Sequence, residues 1–147
     1  MKRLLLVGSV GAGKTTLAHR LQADGRPADK TQATEMIGDV IDTPGEYLDH
    51  GRLNHALLLA SYDADVVALL QGAGDGATRI PPGFASYFTC PVIGVVTKVD
   101  IAAPSAVHDA REALRAAGSR TVVEVSALTG DGLADLLAAV EGSGPDV

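Results

Sequence analysis

"LLLVGSVGAGKTT", residues 4–16, runs from an apolar segment into a turn that holds three glycines, a lysine and two threonines. Leu4–Val7 has no polar side chain on either face, as expected of a central strand in a parallel sheet. Glycine lets the turn curl with its N–H groups inward, and lysine adds a fixed positive charge. Together they describe a nest for phosphate oxygens. The stretch fits G-x-x-x-x-G-K-[ST] as Gly8, Gly13, Lys14 and Thr15. In that pattern the backbone wraps a β-phosphate, the lysine reaches β and γ oxygens, and the Thr15 hydroxyl ligates Mg²⁺.

Further apolar runs follow at Val66–Leu70, Val92–Val96 and Thr121–Val125, with a shorter candidate at Asp39-Val40-Ile41. Helical patterns lie between them. Leu17 and Leu21 are spaced i,i+4. Val107, Ala110 and Leu114 follow Pro104 and end at Gly118, and Leu133, Leu136, Leu137 and Val140 end at Gly142. Strands alternating with helices predict a three-layer α/β sandwich. Residues 25–36 and 72–83 read as irregular, and 142–147 as a frayed tail on one domain spanning 1–147.

The chain has 147 residues and a net charge of −6, a balance that suits solubility better than a nucleic-acid partner. Aromatics make up only 3%, so the core must be aliphatic. Cys90 is the one cysteine, which leaves no disulfide framework and fits a reduced, cytoplasmic setting. The apolar neighbourhood 56–71 is interrupted by Asp63 and Asp65, which argues against a membrane span.

Three more motifs fall at the ends of expected strands, the edge where open α/β sheets bind ligands. "DTPGEY" begins at Asp42, whose carboxylate can hold a Mg²⁺-bound water, and Gly45 can offer its N–H to a γ-phosphate. Taken alone, it fits a turn with proline at its second position. "TKVD", residues 97–100, supplies a carboxylate that can accept from guanine N1–H and the exocyclic amine, a donor pair adenine lacks. A buried Asp100 would discriminate strongly on that basis, while the Lys98 stem lies along the base. "SAL", residues 126–128, can present a backbone N–H to the guanine carbonyl.

The order "GSVGAGKT", "DTPG", "TKVD", "SAL" resembles a small Ras-like P-loop GTPase. More narrowly, "KTQATE", "DTPGEYLDH" and "PPGFASYFTCPVIGVVTKVD" resemble the EutP/PduV family, with the likeness covering about residues 2–141. That family accompanies ethanolamine and propanediol utilisation and bacterial microcompartments. The resemblance implies a doubly wound P-loop NTPase fold of five or six mostly parallel strands, binding GTP or GDP with Mg²⁺. By the same likeness Gly8, Ser9, Val10, Gly11, Ala12, Gly13, Lys14, Thr15 and Thr16 hold phosphates and Mg²⁺. Asp42 and Gly45 serve the metal water and the γ-phosphate; Thr97, Lys98 and Asp100 serve the base, and Ser126-Ala127 its carbonyl. A shell protein or pathway enzyme is the expected partner, at or near a microcompartment.

Three departures from the usual GTPase bear on mechanism. Thr31 and Thr34 are the candidates for a Mg²⁺-ligating switch threonine, with Thr31 preferred. Glu46 follows Gly45 where Ras-like enzymes carry glutamine. A carboxylate accepts a hydrogen bond from the attacking water but repels the phosphate, so hydrolysis is expected to be slow, with Lys14 and Glu46 as the catalytic pair. A helix-start carboxylate is the plainer role for Glu46. Val10 would crowd an inserted arginine finger. Thr97 in place of asparagine can still tie the base loop to the phosphate loop.

His19, His50, His55 and His108 lack metal spacing and read as solvated, and Cys90 as a structural thiol. Phe84, Tyr87 and Phe88 suggest a helix docked on the sheet through Phe84 and Phe88, or else a partner patch. Two rival functions remain open. One is an ATP-dependent phosphotransferase to a small carboxylate such as acetate, with Arg79 or Lys30 meeting the acceptor. The other is a non-enzymatic, nucleotide-regulated interaction module.

Overall fold

The computed structural model describes residues 2–9, 11–25, 37–42, 54–76 and 80–142. Five strands lie in one parallel sheet: β1 (Lys2–Gly8), β2 (Ile37–Asp42), β3 (Val66–Gly72), β4 (Val92–Thr97) and β5 (Thr121–Glu124). Their spatial order is β2-β1-β3-β4-β5. Three α-helices lie between them among the described residues, α1 (Lys14–Gly25), α2 (Asn54–Ser61) and α3 (Pro104–Ala116), and a fourth, α4 (Leu133–Gly142), follows β5.

The unbroken apolar runs are explained by what covers each face. Along β1 the side chains alternate between two layers. Leu4 and Leu6 pack with Leu17 and Leu21 of α1 and with Leu133, Leu136 and Val140 of α4. Leu5 and Val7 pack on the other side with Leu57 of α2 and with Ala110 and Leu114 of α3. A strand covered on both faces favours apolar side chains, and β3 is buried at every position, its one polar side chain, Gln71, donating to the Gly72 carbonyl at 3.3 Å. β5 differs: it is one of the two edge strands and only half-buried, which its apolar run did not signal. Arg111 of α3 pins it, donating to Glu124 Oε2 at 2.9 Å and to the Val122 carbonyl at 3.4 Å.

The helix expected around Phe84 and Phe88 is only a 3₁₀ turn, Phe84–Tyr87. The amides of Gly83 and Ala85 donate to the carbonyls of Ala116 and Ala117 at the end of α3, at 2.9 and 2.7 Å. Acceptors from another element thus satisfy the N-terminal amides that have no partner within the turn, and Phe88 turns to extended backbone. Phe84 and Phe88 are nevertheless buried in the core, edge to face at 5.4 Å, while Tyr87 is exposed.

Strand order reverses between β1 and β3, since β1 connects onward to β2 on one side while β3 lies on the other. The crevice beyond the carboxyl ends of these strands is where an open α/β sheet places its ligand. Gly8 pairs with Leu70, Gly72 with Thr97, and Val96 with Glu124, so the loops leaving β1, β3, β4 and β5 gather at one edge. No helix among the described residues is long and apolar enough to cross a membrane.

Candidate functional site

The turn after β1 closes when the Ala12 amide donates to the Ser9 carbonyl at 3.0 Å. Gly11 and Gly13 adopt φ of 86° and 91°, a region that disfavours side chains. The Gly13 carbonyl accepts the Leu17 amide at 2.9 Å, so the loop runs directly into the first turn of α1. Lys14 is only 7% exposed, and its Nζ folds back to donate to the Ser9 carbonyl at 3.2 Å. A cation therefore stands within a loop beside a helix N-terminus, and both attract anions. Thr15 and Thr16 are exposed on the first turn of α1. β2 ends at Asp42, in register with Leu6 of β1 and so beside the start of this loop. Val10, Thr31, Thr34, Gly45 and Glu46 lie outside the described residues, as do His50, Arg79 and Lys30.

The "TKVD" turn is joined to the phosphate loop by two side chains. Thr97 is buried and its Oγ1 donates to the Ala12 carbonyl at 2.7 Å. Lys98 Nζ donates to the Gly11 carbonyl, and its backbone takes φ of 63°. A left-handed lysine is strained, and such strain persists where surrounding contacts fix it. Asp100 is exposed, not buried as the specificity argument supposed. It stands in a turn whose Ile101 amide donates to the Lys98 carbonyl at 3.3 Å.

The "SAL" turn narrows its own assignment. The Ser126 amide donates to the Asp131 carbonyl at 2.9 Å, its carbonyl accepts the Gly130 amide at 2.9 Å, and its Oγ accepts the Thr129 amide at 3.1 Å. Ser126 is fully buried and builds the turn. The following amide, of Ala127, donates to no group among the described residues. The Val99 amide donates to the Val125 carbonyl at 3.4 Å and holds this turn beside "TKVD". Leu128 and Ile101, each 77% exposed, stand in the two turns.

Sequence reasoning missed Asp75. It sits in "GAGDG", read as irregular chain, and its carboxylate accepts from Lys98 Nζ at 3.1 and 3.3 Å. An acid between two glycines was the signal available. His19, His55 and His108 are exposed, and no group of three metal-ligating side chains occurs among the described residues.

A parallel sheet with this strand order and a glycine-lysine loop after its first strand defines the P-loop GTPase-like class of α/β folds. The chain belongs to the PduV-EutP family, described as ethanolamine utilisation - propanediol utilisation, which matches residues 1–142. It is 38% identical over 136 residues to the propanediol utilization protein PduV of Citrobacter freundii, covering 92% of this chain and 91% of that protein. It is 46% identical over 104 residues to a "Probable acetate kinase EutP" of Escherichia coli (strain K12), covering 69% of this chain and 65% of that protein, just under two thirds. Among solved structures it resembles translation elongation factor SelB of Methanococcus maripaludis. The apo form gives a TM-score of 0.67 at 22% identity, over 94% of this chain and 32% of SelB. The complex with the GTP analogue GppNHp gives 0.72 at 20% identity, over 99% of this chain and 35% of SelB. The chain thus spans about a third of SelB, and at this identity the likeness carries the fold.

Proposed function

We propose that this chain is a Mg²⁺-dependent guanine-nucleotide-binding protein that hydrolyses GTP slowly and serves ethanolamine or propanediol utilisation at or near a bacterial microcompartment. The observation that carries the reading is the joining of the base turn to the phosphate loop through Thr97 to Ala12 and Lys98 to Gly11. A single ligand bearing both phosphates and a base spans two such linked loops. The family and the GTPase-like fold support a nucleotide-binding role.

The residues fit an anionic group: Gly11 and Gly13 form a cradle at positive φ, and space beside Gly11 is open. Amides of the 8–16 loop and Lys14 hold the β and γ phosphates and offset charge that develops on the γ-phosphoryl group. Thr15, Asp42 and Thr31 are the residues that would hold Mg²⁺, which when bound withdraws charge from the β and γ oxygens. Gly45 donates its amide to the γ-phosphate. Glu46 accepts a hydrogen bond from the attacking water and repels the phosphate, which keeps turnover slow. Asp100 and the Ala127 amide read guanine, with the Lys98 stem along the base.

Calorimetry with GTP, GDP and ATP, with Mg²⁺ present, tests this on the native chain and on Asp100→Ala. Guanine nucleotides are expected to bind far more tightly than ATP, and the substitution to erase the preference. Equal binding of ATP, unchanged by the substitution, would sink it.

The name of the Escherichia coli relative favours one second reading, ATP-dependent phosphoryl transfer to acetate. Acetyl phosphate formed from ATP and acetate, and insensitive to Asp100→Ala, would replace the first proposal with this one.

A further inference from the structure

Lys98 ends a long flexible stem in a backbone conformation that lysine disfavours, yet its ammonium is held at three points. One is the Gly11 carbonyl of the phosphate loop; the other two are the Asp75 carboxylate oxygens, at 3.1 and 3.3 Å. Asp75 lies in the turn that leaves β3. Its amide donates to the Gly72 carbonyl at 3.2 Å, and the neighbouring Ala73 amide donates to the Thr97 carbonyl at 2.9 Å. That second bond fixes the turn against the end of β4, next to Lys98. Gly72 makes the arrangement possible, because a Cβ there would fall on the Asp75 carboxylate.

The geometry points to Asp75 as a positioning residue for nucleotide binding, a role that rests on the guanine-nucleotide reading above. Ion pairing alone does not justify this, since both side chains are 33% exposed and such pairs contribute little to stability. What the carboxylate supplies is placement. It takes up donors of the ammonium that point away from Gly11 and keeps the stem from leaving the base site. The base turn and the phosphate loop are thereby assembled before a ligand arrives, and ordering entropy that binding would otherwise have to offset is already spent. The turn after β3 becomes the third wall of the site, although no part of it touches phosphate or base in the proposed reading.

Release of fluorescent N-methylanthraniloyl-GDP, followed by stopped flow on the full chain, tests this. Asp75→Ala is expected to release about five- to tenfold faster, the effect of losing a charge-assisted hydrogen bond in a part-exposed setting. Asp75→Asn, which keeps an acceptor oxygen at the same reach, should recover part of the loss. Gly72→Ala should behave like Asp75→Ala, because the added methyl displaces the carboxylate. In a Lys98→Ala background, Asp75→Ala should change release by less than about twofold, since the two act as one unit. Release unchanged in both Asp75 variants, or additive effects with Lys98→Ala, overturns the role of Asp75 while leaving the nucleotide reading intact. Absence of probe binding to the native chain overturns both.

Discussion

Thr97 Oγ1 and the Ala12 carbonyl, 85 residues apart in sequence, are hydrogen-bonded at 2.7 Å inside the protein. This bond joins the end of β4 to the phosphate loop without passing through any ligand. Thr97→Val keeps the shape, removes the donor and leaves a carbonyl unsatisfied. It is expected to destabilise the protein by about 1–3 kcal/mol. A urea titration measures that, and weaker GDP binding should accompany it. Unchanged stability would mean that water replaces the hydroxyl.

Phe84 shows that the 3₁₀ turn is part of the core. Its ring is buried, stacked on Tyr87 at 5.7 Å and edge-on to Phe88 at 5.4 Å. Phe84→Ala should destabilise by about 3–5 kcal/mol in chemical denaturation. Tyr87→Ala, at an exposed position, should cost far less. If the order were reversed, the patch would be an interaction surface rather than core.

At Gly132, just before α4, φ is 81° and a Cβ would run into the Glu124 carbonyl. The backbone of the "SAL" turn is thus packed directly on the end of β5. Gly132→Ala combines a disfavoured φ with a backbone clash, so a loss beyond about 2 kcal/mol is expected by thermal melting. Gly142→Ala, with open space around it, should be close to neutral and serves as the control.

The Cys90 thiol is held above the ordinary thiol range, chiefly because burial disfavours the thiolate. A hydrogen bond at its own backbone opposes that, and the charge of Asp65 adds to it. Alkylation by iodoacetamide near neutral pH should therefore run slower than for a free thiol, with the rate still climbing above the usual thiol pKa. A raised folded-state pKa means the neutral thiol is the form the fold favours. Its contribution to stability is full below the unfolded pKa and is lost as pH rises through the folded one. Rapid alkylation at neutral pH would contradict this.

Much of the architecture was written locally. Runs such as Leu4–Val7 and Val66–Leu70 are apolar on both faces because helices cover both, and that requirement shows in sequence without any knowledge of partners. The glycine-lysine loop was equally legible, since positive φ and a fixed charge each demand particular residues. By contrast, the edge position of β5, the 3₁₀ turn at Phe84 and the exposure of Asp100 depend on neighbours far away in the chain. Propensity and periodicity report what a segment prefers by itself. They could not foretell that carbonyls at the end of α3 would take the amides of Gly83 and Ala85, that the Ser126 amide would be occupied by Asp131, or that Asp75 would meet Lys98. The contact of Asp75 with Lys98 exists only once β3 and β4 pair in parallel, because that pairing brings the loops after both strands side by side at one edge.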